Sequence, residues 1–264
     1  MKIREIDLKR YRKGIIPVLI LAGLVFWTAK ICNLNFNHIL SGFWKGFEFT
    51  LKMFPPDLST LPELIEPALV TLSEALLGTV FGTLLSIPLA VLAASNTSSP
   101  WIRNLVRFFI SLERALPEII IALILVAAVG LGVLPGILSL TLGCLGMMGK
   151  LLADSIEEVD PSSLEAIQSV GARKAQVIYY GVIPNLIPKI TSYALFRFEI
   201  NVRLSLILGA VGAGGIGYNL VYAFNMIEYH KAMTAVILIA LIVFGSERIS
   251  FFLRNKIKME ASLK

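Results

Sequence analysis

A chain of 264 residues that is 56% hydrophobic and 16% charged, with a mean hydropathy of +0.77, carries more apolar surface than one soluble core of that length can bury. This excludes an ordinary globular domain and predicts a single all-α membrane protein. The net charge of +6 would raise nucleic acid as a partner in a soluble protein, but the basic residues cluster beside the apolar runs, so the lipid bilayer accounts for them and no nucleic acid is implied.

A membrane-crossing helix takes about 20 apolar residues, and about six runs meet that length, at 15–31, 68–94, 105–129, 134–153, 186–208 and 232–253. The first follows Lys9-Arg10-Tyr11-Arg12-Lys13 and has no small-residue cleavage site after it, which reads as a retained anchor rather than a signal peptide. With the N-terminus inside, the cytoplasmic side receives Lys2, Arg4, Lys9, Arg10, Arg12, Lys13, Arg103, Arg107, Lys150, Arg173, Lys174, Lys189, Arg248, Arg254, Lys256, Lys258 and Lys264. The outer side receives only Lys30, Lys45, Lys52 and Lys231. Both termini are therefore expected in the cytoplasm of a bacterial inner membrane. Between the first two runs, 33–66 mixes Ile39, Phe43, Trp44, Phe47, Phe49 and Leu51 with Lys45, Glu48 and Lys52, a pattern suited to lying along the interface, and Pro55-Pro56 and Pro62 are expected to stop any helix there. The expected organisation is a leading segment 1–65, a transmembrane domain 66–256 and a tail 257–264.

Between the fourth and fifth runs, 157–189 is too long and too patterned for a passive connection. Pro161-Ser162-Ser163-Leu164-Glu165 reads as a capping box, with Ser162 accepting from the N3 amide and Glu165 returning to the Ser162 amide. Gly171 fits the left-handed position after that short helix, and 173–180 can form a second one before Gly181 and Pro184. The expectation is a helix-turn-helix elbow.

These residues resemble the coupling loop of ABC importer permeases, whose signature is Glu-Ala-Ala, three residues, Gly, nine residues, then Ile-x-Leu-Pro. Glu165, Ala166, Gly171 and Pro184 match at the right spacing, while Ile167, Gly181 and Ile183 depart from it, and Gly181 is expected to loosen the second helix. The resemblance implies that Ser162, Glu165, Ala166, Gly171, Arg173 and Pro184 couple the chain to an ATPase. A finer resemblance, to the phosphonate-type permeases, rests on the stretches 111–118, 149–160, 197–203 and 211–217. It implies a type I importer fold with cytoplasmic coupling helices, a homodimer of permeases, two cytoplasmic ATPases that hold ATP and Mg, and an extracytoplasmic substrate-binding protein. The implied cargo is phosphonate or a related phosphorus oxyanion such as phosphite, hypophosphite or phosphate. The alternatives are a permease for another small anionic or amino-acid-like solute, or a self-sufficient secondary transporter.

Ionisable residues inside apolar runs need partners or water, which singles out Glu113, Arg114, Glu118, Arg197, Glu199 and Arg203. Glu199 and Arg203 are four apart on a helix and can pair, and Asn201 can hydrogen-bond across to a neighbour. Arg203 with Glu199, Asn201, Gly212, Gly214 and Gly215 is the expected translocation pathway, because an arginine offers bidentate contacts to phosphoryl oxygens. The competing reading is an ion pair that only braces helices; for Arg114 and Glu118 that structural reading is preferred. Gly212-x-Gly214-x-x-Gly217 matches a dinucleotide fingerprint only formally, because it follows an apolar run and no acidic residue stands about 20 positions on. No phosphate-cradling Gly-x-x-x-x-Gly-Lys-Ser/Thr motif occurs, so ATP hydrolysis belongs to another chain and this one is not an enzyme. Isolated His38 and His230, and Cys32 and Cys144 on either side of a lipid boundary, support no metal, disulfide or cofactor.

Overall fold

The computed structural model of the chain describes residues 2–262, and the side chains among them apart from residues 2–14, 16, 36 and 258–262. The side chains of Lys2, Arg4, Lys9, Arg10, Arg12, Lys13 and Lys258, and the whole of Lys264, lie outside the described residues. All regular structure among the described residues is helical, in two compact units, 1–54 and 55–264.

The first unit holds α1 (Lys2–Ile31), whose apolar stretch is Pro17–Ile31, and α2 (Phe36–Lys52). Asn35 caps α2, its side chain accepting from the Asn37 amide. Ile39, Leu40, Phe43, Trp44 and Phe47 recur three, four or one apart along α2 and are exposed, while Glu48 pairs with Lys52 at 2.9 Å.

The second unit contains α3 (Leu61–Ala93), α4 (Pro100–Ala115), α5 (Glu118–Val129), α6 (Val133–Glu157), α7 (Pro161–Ser169), α8 (Lys174–Val177), α9 (Ile183–Leu208), α10 (Gly215–Asn225) and α11 (Tyr229–Ser262). Pro62 opens α3 instead of stopping a helix, because a proline in the first turn gives up an N–H that has no intrahelical partner there. Among the described residues three helices are long and apolar enough to cross a membrane, Leu58–Ala93, Val133–Glu157 and Tyr229–Ile257; the pair Lys174–Ala213 and Gly215–Asn225, bent by 57°, makes four when it is counted as one span. The expected span 105–129 is broken. Pro117 lacks an N–H and drives Leu116 to an extended ψ of 127°, so α4 ends and α5 begins anew. With 12 residues α5 covers only about 18 Å and does not cross alone.

α6 is the interior helix: 61% of its most apolar window is buried within the fold, against 11% for the window of α11. It lies closest to α3, where Gly78 and Gly82, one helical turn apart, remove the side chains that would hold the backbones off. A Cβ on Gly78 would stand 2.5 Å from Leu140 Cβ, and one on Gly82 would stand 2.9 Å from Thr141 O. The principal buried cluster gathers Ala90, Ile110, Cys144, Met148, Leu152, Ile156, Leu164, Val177, Val182 and Leu186, so α7 and α8 are packed into the same core as the long helices.

Candidate functional site

The elbow forms, with two corrections to its expected details. α7 starts at Pro161, one residue before the anticipated cap, because Asp160 takes the capping role: its carboxylate accepts from the Ser162 amide at 3.1 Å and from the Ser162 hydroxyl. An aspartate is as good a cap as serine and stands directly before Pro161, which initiates the helix, whereas Ser162 lies inside the first turn. Those donors hold the Asp160 carboxyl below its ordinary pKa, the Ser162 side-chain hydrogen bond being the main cause. The Ser162–Glu165 capping box is therefore not made, and Glu165 stands exposed. Gly171 follows α7 at φ +83°, the left-handed conformation that ends a helix most readily with glycine.

The second expected short helix does not end at Gly181 and Pro184. α8 passes through a wide turn at Ile178–Val182, with the Ile183 amide donating to Ile178 O, and runs on into α9. The wide turn absorbs Pro184, whose ring in a regular helix would meet the carbonyl four residues back. Gly181 is buried rather than loosening: a Cβ there would lie 2.8 Å from Leu164 and 3.0 Å from Ile167, so its bare backbone is the floor on which α7 rests. Ser162, Glu165, Ala166, Gly171 and Arg173 are exposed, together with Val170, Tyr179 and Tyr180. Val170 is 82% exposed, an apolar side chain turned to the surface rather than to the core.

Along α9 the structure places the pathway candidates on more than one face. Glu199 is buried and bridged on two sides, by Arg203 one turn on and by Arg254 of α11 at 3.2 Å. The side chain of Arg203 is 48% exposed and also lies 3.9 Å from Glu247. Asn201, fully buried, donates to Thr79 Oγ1 of α3 at 2.9 Å, the cross-helix bond expected of it. One turn further, the Ser205 hydroxyl donates to Glu74 of α3. Thr79, Ser205 and Glu74 were not singled out from the sequence, although Glu74 is the lone charge in the run 68–94 and Gly78-x-x-x-Gly82 signals close helix packing. Either feature could have found this seam.

After α9 the chain turns through Gly209–Ala213, with Gly212, Gly214 and Gly215 at φ +103°, +94° and +68°. Gly212 O accepts from the Gly132 amide at 3.0 Å, and the Ile216 amide that opens α10 donates to Thr71 Oγ1 at 3.0 Å. The three glycines thus form a break in the helix that is tied to α3 and to the α5–α6 turn, not a dinucleotide loop.

Glu118 is brought to Arg197, at 2.6 Å, rather than to Arg114, which is exposed at the end of α4. The break at Pro117 turns Glu118 inward, and Gly143 and Gly146 of α6 make the room: a Cβ at Gly143 would overlap the Glu118 carboxylate, and one at Gly146 the Glu113 carboxylate. Arg197 Nε, Glu113 Oε2 and Glu118 Oε2 have no hydrogen-bond partner among the described residues.

Comparison with known proteins agrees with this arrangement. Residues 86–257 match the family described as "Binding-protein-dependent transport system inner membrane component". The phosphite transport system permease protein PtxC of Stutzerimonas stutzeri is 37% identical over 205 residues, 77% of this chain and 74% of that one. The phosphate-import permease protein PhnE of Mycolicibacterium smegmatis is 38% identical over 208 residues, 78% of this chain and 39% of that longer protein. A chain of the MetNI methionine ABC transporter in an inward-facing conformation superposes with a TM-score of 0.66 at 19% identity, covering 76% of this chain and 99% of its own.

Proposed function

Since this chain belongs to the binding-protein-dependent transport system inner membrane components, we propose that it is the membrane-spanning subunit of an ATP-driven importer of a small phosphorus oxyanion or phosphonate. The observation that carries the coupling part is the elbow: a capped helix, rigidly floored on Gly181, that leaves Glu165, Gly171 and an apolar rim exposed. A rigid element packed into the core can pass closure of a partner to the long helices as a body, which a loose loop cannot.

In this reading two cytoplasmic ATPases dock on the elbows of a homodimer and hold ATP and Mg themselves, while an extracytoplasmic binding protein delivers the cargo. The excess of Lys and Arg near the elbow side supports a cytoplasmic elbow and cytoplasmic termini in a bacterial inner membrane. The functional division 1–65, 66–256 and 257–264 goes with it. Arg203, half exposed beside Glu199 and Asn201, is the cation offered to the anionic cargo, and the break at Gly212, Gly214 and Gly215 is the hinge of the pathway. Names of relatives that differ between phosphite and phosphate support the class of cargo and not one member.

The test is reconstitution with ATPases and binding protein in liposomes. Glu165→Arg and Gly171→Pro are expected to abolish ATPase association and uptake. Uptake at the wild-type rate with either substitution, or with no ATPase present, would overturn the assignment.

A further inference from the structure

Two consecutive carboxylates close the last turn of α6 and reach different neighbours. Glu157 Oε1 accepts from Arg107 Nη2 of α4 at 2.5 Å and from the Ser95 amide in the α3–α4 turn at 2.6 Å. Arg107 Nε donates to Ala93 O, the last residue of α3, at 2.8 Å, and Asn96 Nδ2 donates to Ile156 O at 2.8 Å. Glu158 instead takes Lys189 of α9 at 2.7 Å, out in solvent. Carboxylates at a helix C-terminus oppose the helix dipole, so local helix physics does not account for them. Their partners, distant in sequence, do.

α7 begins directly after this turn, and a groove between the α3–α4 turn and the elbow is lined by Asn96, Thr97, Leu164, Gln168, Val177 and Val182. The elbow and the α3–α4 turn that Glu157 and Arg107 pin to α6 face one another across this groove, and Ala94 beside that turn shares one buried cluster with Leu164 and Val177 of the elbow. We propose that Arg107 and Glu157 are positioning residues that make the α3–α4 turn move with the elbow, so that ATPase closure reaches α3 and α4 as well as α6 and α9. This rests on the reading of the elbow as the ATPase dock. The bracket has side chains only 36% and 28% exposed and converges four bonds on one turn, which suits a rigid joint; the Glu158–Lys189 pair is single and exposed, and such pairs hold little. With the bracket cut, the elbow's travel is absorbed at the end of α6 and hydrolysis proceeds without rearrangement of α3.

The experiment uses the assembled transporter with its ATPases and binding protein in liposomes, reading ATP hydrolysis and uptake of labelled phosphate, phosphite and methylphosphonate. Arg107→Gln and Glu157→Gln are expected to keep ATPase association and hydrolysis while uptake per ATP falls several-fold. The exchange Arg107→Glu with Glu157→Arg is expected to recover part of that ratio, and Lys189→Gln to leave it near wild type. An unchanged ratio in the single variants, no recovery on exchange, or loss of ATPase association would overturn the proposal. Should a glutamine variant fail to fold and insert, Arg107→Lys, which keeps the charge but gives up the Ala93 bond, is expected to lower the same ratio, and a wild-type ratio there would overturn the proposal. The two readings fail separately: if Glu165→Arg leaves transport intact, the dock is elsewhere; if it abolishes ATPase binding while Arg107 variants keep their ratio, only the bracket is wrong.

Discussion

The Arg197–Glu118 pair offers the sharpest test of the packing. Arg197 is 4% exposed and Glu118 19%, and their 2.6 Å contact crosses from α9 to α5 over the glycine face of α6. Replacing Arg197 by methionine, similar in length and apolar, leaves Glu118 buried with no cation and Glu113 beside it. Removing one member of a buried pair costs about 3–5 kcal/mol, and the partial exposure of Glu118 puts this case near the lower end, at about 3 kcal/mol. By the usual scaling for chains of this size that is about 6–12 °C in melting temperature. The double variant Arg197→Met with Glu118→Gln removes both charges and the unpartnered Arg197 Nε but leaves a neutral amide without its partner, and should lose about 1–2 kcal/mol, less than Arg197→Met alone. Thermal unfolding of the purified chain in detergent, with the cycle closed by Glu118→Gln alone, measures the coupling. If the double variant is as unstable as the sum of the singles, the ion pair is not what holds α5 against α9, and the reasoning fails.

Three further outcomes follow from the geometry. Gly78→Ala would place a Cβ 2.5 Å from Leu140 Cβ, far inside the ~3.5–4.0 Å of a comfortable contact, so α3 and α6 must part; a loss of about 1–3 kcal/mol is expected in the same melts, and none would refute the close approach. Asp160→Ala removes the cap of α7 and should loosen that helix, read as faster amide exchange over 161–169. Because the Asp160 carboxyl is held below its ordinary pKa, its contribution is present at neutral pH and is lost only as pH falls through the lowered folded value; protection that fades at higher pH would contradict this. Arg203→Gln should lower anion uptake with dimer assembly intact, measured by uptake beside size-exclusion of the detergent-solubilised protein; loss of assembly instead would make Arg203 a brace.

Much of the architecture was legible because lipid imposes a simple rule. A run of about 20 apolar residues has to be a helix that satisfies its own backbone, so the runs near α3, α6, α9 and α11 could be placed from hydropathy alone. The elbow was legible for another local reason: Gly171 and its neighbours are short-range stop and start signals that need no tertiary partner. Where local signals compete, the sequence left the outcome open. Asp160 and Ser162 are both competent caps, and only the start of the helix at Pro161 chose between them. Pro117 lies inside an apolar run that reads as one span, and its break became visible only with α4 and α5 in place.

What the sequence by itself determined is an all-α membrane chain with a structured elbow after its central helix, since apolar length, charge placement and turn residues act within a few residues of chain. What only the tertiary structure decided is which charges meet. Glu118 lies 79 residues from Arg197 and Ser205 131 from Glu74. No local pattern favours those pairs over Arg114 or Arg203; the bare glycine faces of α3 and α6 set how near the helices come, and that distance selects the partners.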